Sequence, residues 1–281
     1  MCRSRFANHL QAAAKVWARA GATGIVIAAR RLDALEKVAA EVKAINSETR
    51  VLAVKVDITS ESQVKDMYAS VQKTFGRHAD VLLNNAGYLR DDQLIGETAP
   101  EEWWTGFVSL NLPVLTLIKT NKKQEVNVKG TYIMTHYFIA TQPNPKAPTG
   151  TIIGVSSGRA GLSTAGGSSY NISKIAEQRL NEHLQLEYPT LRVFTTMPGI
   201  SKTEMATEFW IPYALDHPDL TGMLALFLVQ EKADFLKGSM VGVNWDVEEL
   251  VQHKKDIEEG KLFQTSWLPI LPFNGGKGLG A

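Results

Sequence analysis

Tyr170 and Lys174 stand four residues apart at the start of a predicted helix, in the segment Tyr-Asn-Ile-Ser-Lys. On a helix this spacing puts the phenol and the ammonium on the same face. The pKa of a free tyrosine is near ~10, so its hydroxyl exchanges protons poorly at neutral pH. A lysine cation nearby favours the phenolate and lowers that pKa, which makes proton exchange with an alcohol or a carbonyl feasible. Many surface helices carry such a pair by chance, so the pair alone is weak evidence.

Ser157 lies 13 residues before Tyr170, directly after a predicted buried strand and before a glycine. Its hydroxyl is placed to hydrogen-bond a substrate oxygen while the tyrosine transfers a proton. The alternative is a serine that only stabilises a turn, which is the commoner role of a serine before glycine. A strand, Ser-Ser-Gly and the tyrosine–lysine pair in this order and spacing are much harder to obtain by accident.

Apolar runs alternate with helical periodicity along most of the chain, which predicts the elements that position these side chains. The predicted strands are 25–29, 51–56, 81–83, 151–155, 191–196 and 240–243, and helices are predicted at 6–20, 172–186 and 222–229. Helical spacing of apolar residues also runs from Leu32 to Val42 and, after the predicted cap Ser60, from Val64 to Val71. This α/β pattern predicts a doubly wound, Rossmann-like parallel sheet with helices on both faces. We expect one domain over residues 1–261 and an irregular tail over 262–281. Gly87, Ser157 and Gly199 each follow a predicted strand. We expect them to converge where the carboxyl ends of the strands meet at one edge of the sheet.

The composition excludes several function classes. The 281 residues include 30 basic and 29 acidic side chains, and this near-neutral balance argues against a nucleic-acid partner. Cys2 is the only cysteine, which excludes an internal disulfide and a thiolate zinc cluster. The six histidines show no paired metal-ligand spacing, so no metal is expected. No apolar run reaches the roughly eighteen residues of a membrane span, and we expect a cytoplasmic protein.

The first acidic residue is Asp33, and an arginine-bearing, acid-poor start is also typical of a mitochondrial transit peptide. Ala12–Ala14, Val16 and Ala20 run straight into a predicted strand, which favours a surface helix of the fold instead.

Several segments together resemble the short-chain dehydrogenase/reductase family. Asn84-Asn85-Ala86-Gly87 is similar to that family's segment after its fourth strand, Asp57 to its adenine-contacting aspartate, Asn127 to the helix asparagine of its catalytic set, and Pro198–Thr203 to the stretch that touches the nicotinamide carboxamide. With Ser157, Tyr170 and Lys174, the resemblance runs in order from about Gly21 to Asp246.

The resemblance implies metal-free hydride transfer between a nicotinamide dinucleotide and an alcohol/carbonyl substrate. By matched position, Tyr170 would be the acid–base and Ser157 would hold the substrate oxygen. Lys174 would bind the nicotinamide ribose and lower the pKa of the tyrosine, and Asn127 would support a water-linked proton relay. The catalytic candidates are Asn127, Ser157, Tyr170 and Lys174; the cofactor-binding candidates are Arg30, Asp57, Asn84, Ala86, Gly87, Asn127, Tyr170, Lys174, Ile200 and Thr203.

Arg30 and Arg31 directly follow the first predicted strand, at the place where an acidic residue would select NAD. Arginine suits a bidentate contact with a 2′-phosphate, so NADP is predicted in preference to NAD, with Arg30 as the leading ligand. The alternative is a solvated arginine pair at a helix entry.

The chain departs from the family pattern in two places. It lacks the first strand and the glycine-rich loop that holds the pyrophosphate, so the neighbours of that strand should be unpaired and border a groove in the core. Removing Val108–Gln124, 17 residues, restores an apolar helix face through Trp104, Phe107, Val128 and Tyr132. We hypothesise that both departures are gene-model errors, the second an unspliced intron; the alternative for it is a real surface loop.

Three further expectations concern substrate and partners. Thr203–Leu215 is apolar and aromatic, which favours a lid over an apolar or aromatic carbonyl compound; a helix packed on the sheet is equally compatible. By analogy with the family, we expect a homo-oligomer that acts in secondary metabolism. The rival function is a non-catalytic or cofactor-impaired binding or regulatory protein, which the lack of the phosphate loop supports.

Overall fold

The computed structural model describes residues 8–87, 89, 94–100, 103, 126–201 and 211–266. Within them the elements are α1 (Asn8–Arg19), β1 (Gly24–Ala29), α2 (Leu32–Ile45), β2 (Arg50–Lys55), α3 (Glu61–Phe75), β3 (Val81–Asn84), α4 (Thr131–Ala140), β4 (Thr151–Val155), α5 (Ser168–Glu187), β5 (Arg192–Met197), α6 (Asp219–Leu228), β6 (Met240–Gly242), α7 (Val247–Gln252) and α8 (Lys254–Gly260). A π-helical turn (Val126–Gly130) precedes α4, and 3-10 helices cover Gly158–Gly161, Ile211–Tyr213 and Glu231–Leu236. The predicted α/β class is confirmed.

The described strands form two parallel sheets. β1 pairs with β2, and β3, β4, β5 and β6 pair in that order. Within the described residues no strand lies between β1 and β3, so each has an edge without a ladder there. The unpaired neighbours predicted from the sequence are therefore observed.

Helices cover both faces of the four-stranded sheet. Successive residues of a strand point to opposite faces, so each strand contributes apolar side chains to both. One face packs against α3, α4 and α5, and the other against α6, α7 and α8. Leu82, Ile152 and Val193 supply the first face, and Leu83, Ile153 and Phe194 the second. This arrangement confirms the predicted doubly wound architecture.

α1 is a helix of the fold, as its run of alanines predicted. Ala14 and Ala18 are buried in a cluster with Ile27 and α2. On its other side α1 meets α6 closely, since a Cβ on Gly222 would lie 2.8 Å from Ala13 Cα. The residues before Asn8, including Phe6 of the predicted helix, lie outside the described residues.

The start of the predicted tail is irregular but firmly bound. The Met240 amide donates to the Phe263 carbonyl over 2.8 Å, and the Thr265 amide donates to Glu182 of α5 over 2.7 Å. The Phe263 ring also lies 4.8 Å from that of Trp245, centroid to centroid. The remainder of the tail, from residue 267, and the segment 108–124 lie outside the described residues.

Gly154 brings α5 close to the centre of β4. A Cβ at this position would overlap the side-chain amide nitrogen of Asn181. Asn181 is buried and donates to Thr195 Oγ1 of β5 over 2.9 Å. A glycine in the strand thus lets the helix that carries the tyrosine–lysine pair seat against the strand that leads to Ser157.

Candidate active site

The carboxyl ends of β3 and β4 meet the tyrosine–lysine helix α5 and the π-helical turn. A Cβ on Gly87 would lie 3.4 Å from Lys174 Nζ and 3.8 Å from Asn127 Oδ1. Lys174 Nζ also donates to the carbonyl of Val155, the last residue of β4, over 3.1 Å. The structure therefore brings Gly87, Asn127 and Lys174 together at the predicted edge of the sheet.

Tyr170 lies in the first turn of α5 and Lys174 one turn later, and both side chains are buried. Lys174 Nζ lies 5.8 Å from the centroid of the Tyr170 ring, so the two share a helix face as the spacing predicted. A second cation approaches the same ring, with Arg159 Cζ at 5.2 Å from its centroid. The ring of Tyr170 therefore lies beside two basic side chains. The start of α5 is held by Trp103, whose indole Nε1 donates to Ser168 Oγ over 2.8 Å.

Ser157 stabilises a turn, which was the alternative to a role in binding the substrate oxygen. It precedes the 3-10 helix Gly158–Gly161, and its Oγ accepts a hydrogen bond from the Arg159 amide over 3.2 Å. A hydroxyl that accepts one bond still has its own proton to donate, so this role leaves Ser157 able to bind a substrate oxygen. The same turn carries Arg159 to the face of Tyr170.

Asn127 is buried in the π-helical turn and hydrogen-bonds to Ser173 of α5, which lies between Tyr170 and Lys174 in the sequence. Its Nδ2 donates to Ser173 Oγ over 2.9 Å, and Ser173 Oγ donates to the Tyr170 carbonyl over 2.7 Å. π-Helical turns occur frequently at functional sites. This chain of bonds fixes Asn127 beside Lys174, as a shared site requires.

The sequence reasoning missed Glu177, which forms a buried ion pair with Lys174. The Lys174 ammonium lies 2.8 Å from Oε2 and 3.1 Å from Oε1 of the carboxylate. Burial lowers the pKa of Lys174, but the attraction of Glu177 and Tyr170 outweighs that effect and raises it overall. Burial raises the pKa of Glu177 to about 7 against the opposing influence of the lysine. The Lys-x-x-Glu spacing was the available signal, because residues three apart meet on a helix.

The other cofactor-binding candidates are distributed along the carboxyl edges of the strands. Arg30 is exposed directly after β1. Asp57 follows β2 and builds a turn, since its Oδ1 accepts from Thr59 Oγ1 over 2.7 Å. Asn84 is buried and donates to Thr135 Oγ1 over 3.1 Å, while Ala86 is exposed next to Gly87.

Ile200 is engaged by a carboxylate. Its amide donates to Asp216 Oδ2 over 2.7 Å, and the Asp216 amide donates back to the Ile200 carbonyl over 3.1 Å. Gly199 permits this approach, because its φ is +71° and a Cβ would overlap the Asp216 carboxylate. Thr203 lies outside the described residues.

The described end of the predicted lid is exposed rather than packed on the sheet. Ile211, Tyr213 and Leu215 are 47%, 58% and 87% exposed. Met205, Phe209 and Trp210 lie outside the described residues.

The described residues contain neither a cluster of metal-ligating side chains nor a helix suited to a membrane. No three or more His, Cys, Asp or Glu side chains are grouped there so as to hold a metal ion. No helix among them combines the length and apolar character needed to cross a membrane.

Comparison with known proteins gives consistent matches. The short chain dehydrogenase family profile matches residues 11–213. The short chain dehydrogenase citE of Monascus ruber is 33% identical over 255 residues, which are 88% of this chain and 80% of that protein. The short chain dehydrogenase andI of Emericella variicolor is 31% identical over 258 residues, covering 89% of this chain and 82% of that protein.

Solved structures share the fold. A 3-ketoacyl-(acyl-carrier-protein) reductase from Brucella melitensis, complexed with NADH, matches with a TM-score of 0.67 and 26% identity, over 84% of this chain and 92% of that one. A short-chain type dehydrogenase/reductase from Mycobacterium marinum has a TM-score of 0.69 at 24% identity, covering 83% of this chain and 88% of that one.

Proposed function

Because the chain belongs to the short-chain dehydrogenase/reductase family, whose members are oxidoreductases, we propose that it is an NADP-dependent member that transfers hydride between nicotinamide and an alcohol/carbonyl substrate. The observation that carries the proposal is that Lys174 and Asn127 meet at Gly87, with Tyr170 beside Lys174 on the same helix face. A tyrosine, a lysine and an asparagine at one edge of the sheet can transfer a proton to or from the substrate oxygen, while the substrate carbon exchanges a hydride with the nicotinamide.

The residues at this edge fit a nicotinamide ribose. Gly87 leaves open the space that a Cβ would take between Lys174 Nζ and Asn127 Oδ1, and both of these atoms can hydrogen-bond a hydroxyl. When bound, the dinucleotide supplies or accepts the hydride. Tyr170 would join Lys174 and Asn127 at the ribose.

The remaining candidates would hold the rest of the dinucleotide. Asp57 would contact the adenine. Asn84, Ala86 and Gly87 would lie along the dinucleotide, and Ile200 and Thr203 would contact the nicotinamide carboxamide. The β1–α2 connection, which follows a strand and opens a helix, holds Arg30 and Arg31 rather than glycines. Exposed Arg30 at this place supports a contact with a 2′-phosphate, and hence NADP over NAD.

The chain's own groups would then handle the proton. In the reductive direction the Tyr170 hydroxyl gives its proton to the carbonyl oxygen, as the carbonyl carbon gains the hydride. The Ser157 hydroxyl donates a hydrogen bond to the same oxygen. The positive charge of Lys174 stabilises the phenolate that remains, and Asn127 supports its reprotonation through water.

We assign the substrate to apolar or aromatic carbonyl compounds, because Ile211, Tyr213 and Leu215 are exposed beyond the Pro198–Gly199 turn. By analogy with the family, a role in secondary metabolism and a homo-oligomeric state are part of the same proposal. The single cysteine favours a cytoplasmic location.

The test is an NADPH titration followed by fluorescence, together with turnover of a panel of aromatic ketones. We expect saturable binding, turnover by the unsubstituted chain, and loss of turnover in Tyr170→Phe with nearly unchanged NADPH affinity. Turnover that persists in Tyr170→Phe would remove the tyrosine from its role. A folded chain that binds no NADPH would favour the non-catalytic alternative.

A further inference from the structure

The carboxylate of Glu177 takes no part in the proposed reaction, yet it supplies two of the three hydrogen-bond acceptors around Lys174. An ammonium has three N–H donors. Those of Lys174 face three acceptors: the Val155 carbonyl at 3.1 Å, Glu177 Oε1 at 3.1 Å and Glu177 Oε2 at 2.8 Å. A ribose hydroxyl can therefore bind Lys174 only if the ammonium releases one of these partners.

The charge of Glu177 also acts strongly on its surroundings, because both side chains of the pair are about 95% buried. A carboxylate in contact with the ammonium offsets its charge, and little water is present to screen either group. The Tyr170 hydroxyl consequently experiences the field of an ion pair rather than that of a lone cation.

We propose that Glu177 is a positioning residue that restrains Lys174, so that the lysine binds the nicotinamide ribose more weakly and promotes ionisation of Tyr170 less than an unpaired lysine would. This inference rests on the proposed function, because it concerns the same lysine and tyrosine. Glu177 touches neither substrate nor cofactor in this scheme and acts through Lys174.

The charged groups that face the pair are few among the described residues. On α5 itself the ionisable side chain that acts on the pair is Tyr170. The 3-10 helix packed on α5 carries Arg159, beside the Tyr170 ring, and the π-helical turn carries half-buried Lys129. β4 has no ionisable side chain, and Arg192 of β5 is paired with Asp234 at 2.7 Å.

The decisive variant is Glu177→Gln, which keeps the size of the side chain and one acceptor oxygen but removes the charge. Glu182→Gln is the matched control: it removes a buried carboxylate from the same helix, one that pairs with Arg179 and contacts Gln178 and Thr265 rather than Lys174. Thermal unfolding of both variants establishes that they are folded.

The first readout needs no cofactor. Ultraviolet titration of tyrosinate, taken as the difference between each protein and the same protein with Tyr170→Phe, gives the pH at which Tyr170 is half-ionised. We expect Glu177→Gln to lower this pH by about one unit, the size of effect that one buried charge exerts at short range. Glu182→Gln should leave it unchanged.

The second readout is NADPH affinity at pH 8. One additional charge-assisted hydrogen bond from Lys174 should tighten binding about tenfold in Glu177→Gln and not in Glu182→Gln. A merely structural role of Glu177 would weaken binding or leave it alone. Either of those results, or an unmoved tyrosinate titration, overturns the proposal.

The unsubstituted chain provides a further test if Glu177→Gln does not fold. The carboxylate loses its charge as pH falls through about 7, so NADPH should bind several-fold more tightly at pH 6.5 than at pH 8.5. Weaker or equal binding at the lower pH overturns the restraint. Absence of NADPH binding in every folded variant contradicts the proposed function instead, and the tyrosinate titration still decides the role of Glu177.

Discussion

Replacing Gly154 with alanine should destabilise the fold strongly, although alanine is ordinarily the better residue inside a strand. Glycine in a strand interior is less favourable than alanine by roughly 0.5–1 kcal/mol. Gly154 is nevertheless found in the middle of the fully buried strand β4. The reason is Asn181, whose amide nitrogen occupies the volume that a Cβ would need.

The magnitude follows from what Asn181 must give up. Moving its amide away breaks the bond to Thr195 Oγ1 at 2.9 Å. A buried polar group left without its partner is destabilising by about 1–3 kcal/mol, and forcing an extra carbon into a packed core by about 1–3 kcal/mol. After allowance for the strand preference of alanine, we expect Gly154→Ala to lower the free energy of unfolding by about 1–5 kcal/mol. This is a large part of the roughly 5–15 kcal/mol that stabilises a typical protein.

Urea unfolding of three variants isolates this cause. Gly154→Ala should show the full loss, and Asn181→Ala a loss from its missing hydrogen bond. In the double variant the new methyl group finds the space that the amide has left, so the double variant should be more stable than the sum of the single losses by about 1–3 kcal/mol. Gly161→Ala is the control, because nothing lies within 4 Å of the Cβ it would add.

Two results would refute this reasoning. If Gly154→Ala lowers the free energy of unfolding by less than about 0.5 kcal/mol, the range of an ordinary surface substitution, α5 does not pack closely against residue 154. Additive losses in the double variant would show that Asn181 is not the obstacle. In either case the close approach of α5 to β4 could not be what positions Tyr170.

Two further predictions concern charge. Arg30→Ser should weaken NADPH binding about ten- to hundredfold and leave NADH binding nearly unchanged, because only the 2′-phosphate contact is lost; equal losses for both cofactors would contradict it, and fluorescence titration measures each. The raised pKa of Glu177, about 7 against 4.5 in a free side chain, means that the folded protein binds its proton more tightly than the unfolded chain does. Stability from this group is present below pH 4.5 and is lost as pH rises to about 7. The free energy of unfolding should therefore fall between pH 5 and pH 8 relative to that of Glu177→Gln, as urea titrations at the two pH values would show.

The elements with strong periodicity could be predicted from the sequence. β4 coincides with the predicted 151–155, and α5 extends the predicted 172–186 by a turn at its start. The face shared by Tyr170 and Lys174 followed from spacing alone, because helix geometry fixes which residues are neighbours. These results depend on local structure, which the order of residues determines directly.

The contacts of Lys174 and Ile200 could not be predicted in this way. A Lys-x-x-Glu pair on a helix is ordinarily solvated, and only tertiary packing decides that Lys174 and Glu177 are buried. Asp216 meets the Ile200 amide from 16 residues along the chain, and no periodicity relates the two. Ser157 had two compatible roles, and the observed turn hydrogen bond does not exclude the chemical one.

The division of the strands into two sheets changes what connects the two ends of the proposed cofactor site. Arg30 extends from the two-stranded sheet, and Lys174 lies at the edge of the four-stranded one. No described ladder joins the sheets, so side-chain packing must hold them in register. Ala28 and Val54 of the smaller sheet pack against the cluster that contains Leu82 of β3. Because dispersion and burial are less directional than ladder hydrogen bonds, the distance between Arg30 and Lys174 depends on how well this core is packed. Cofactor affinity should therefore be sensitive to core substitutions far from any group that contacts the dinucleotide.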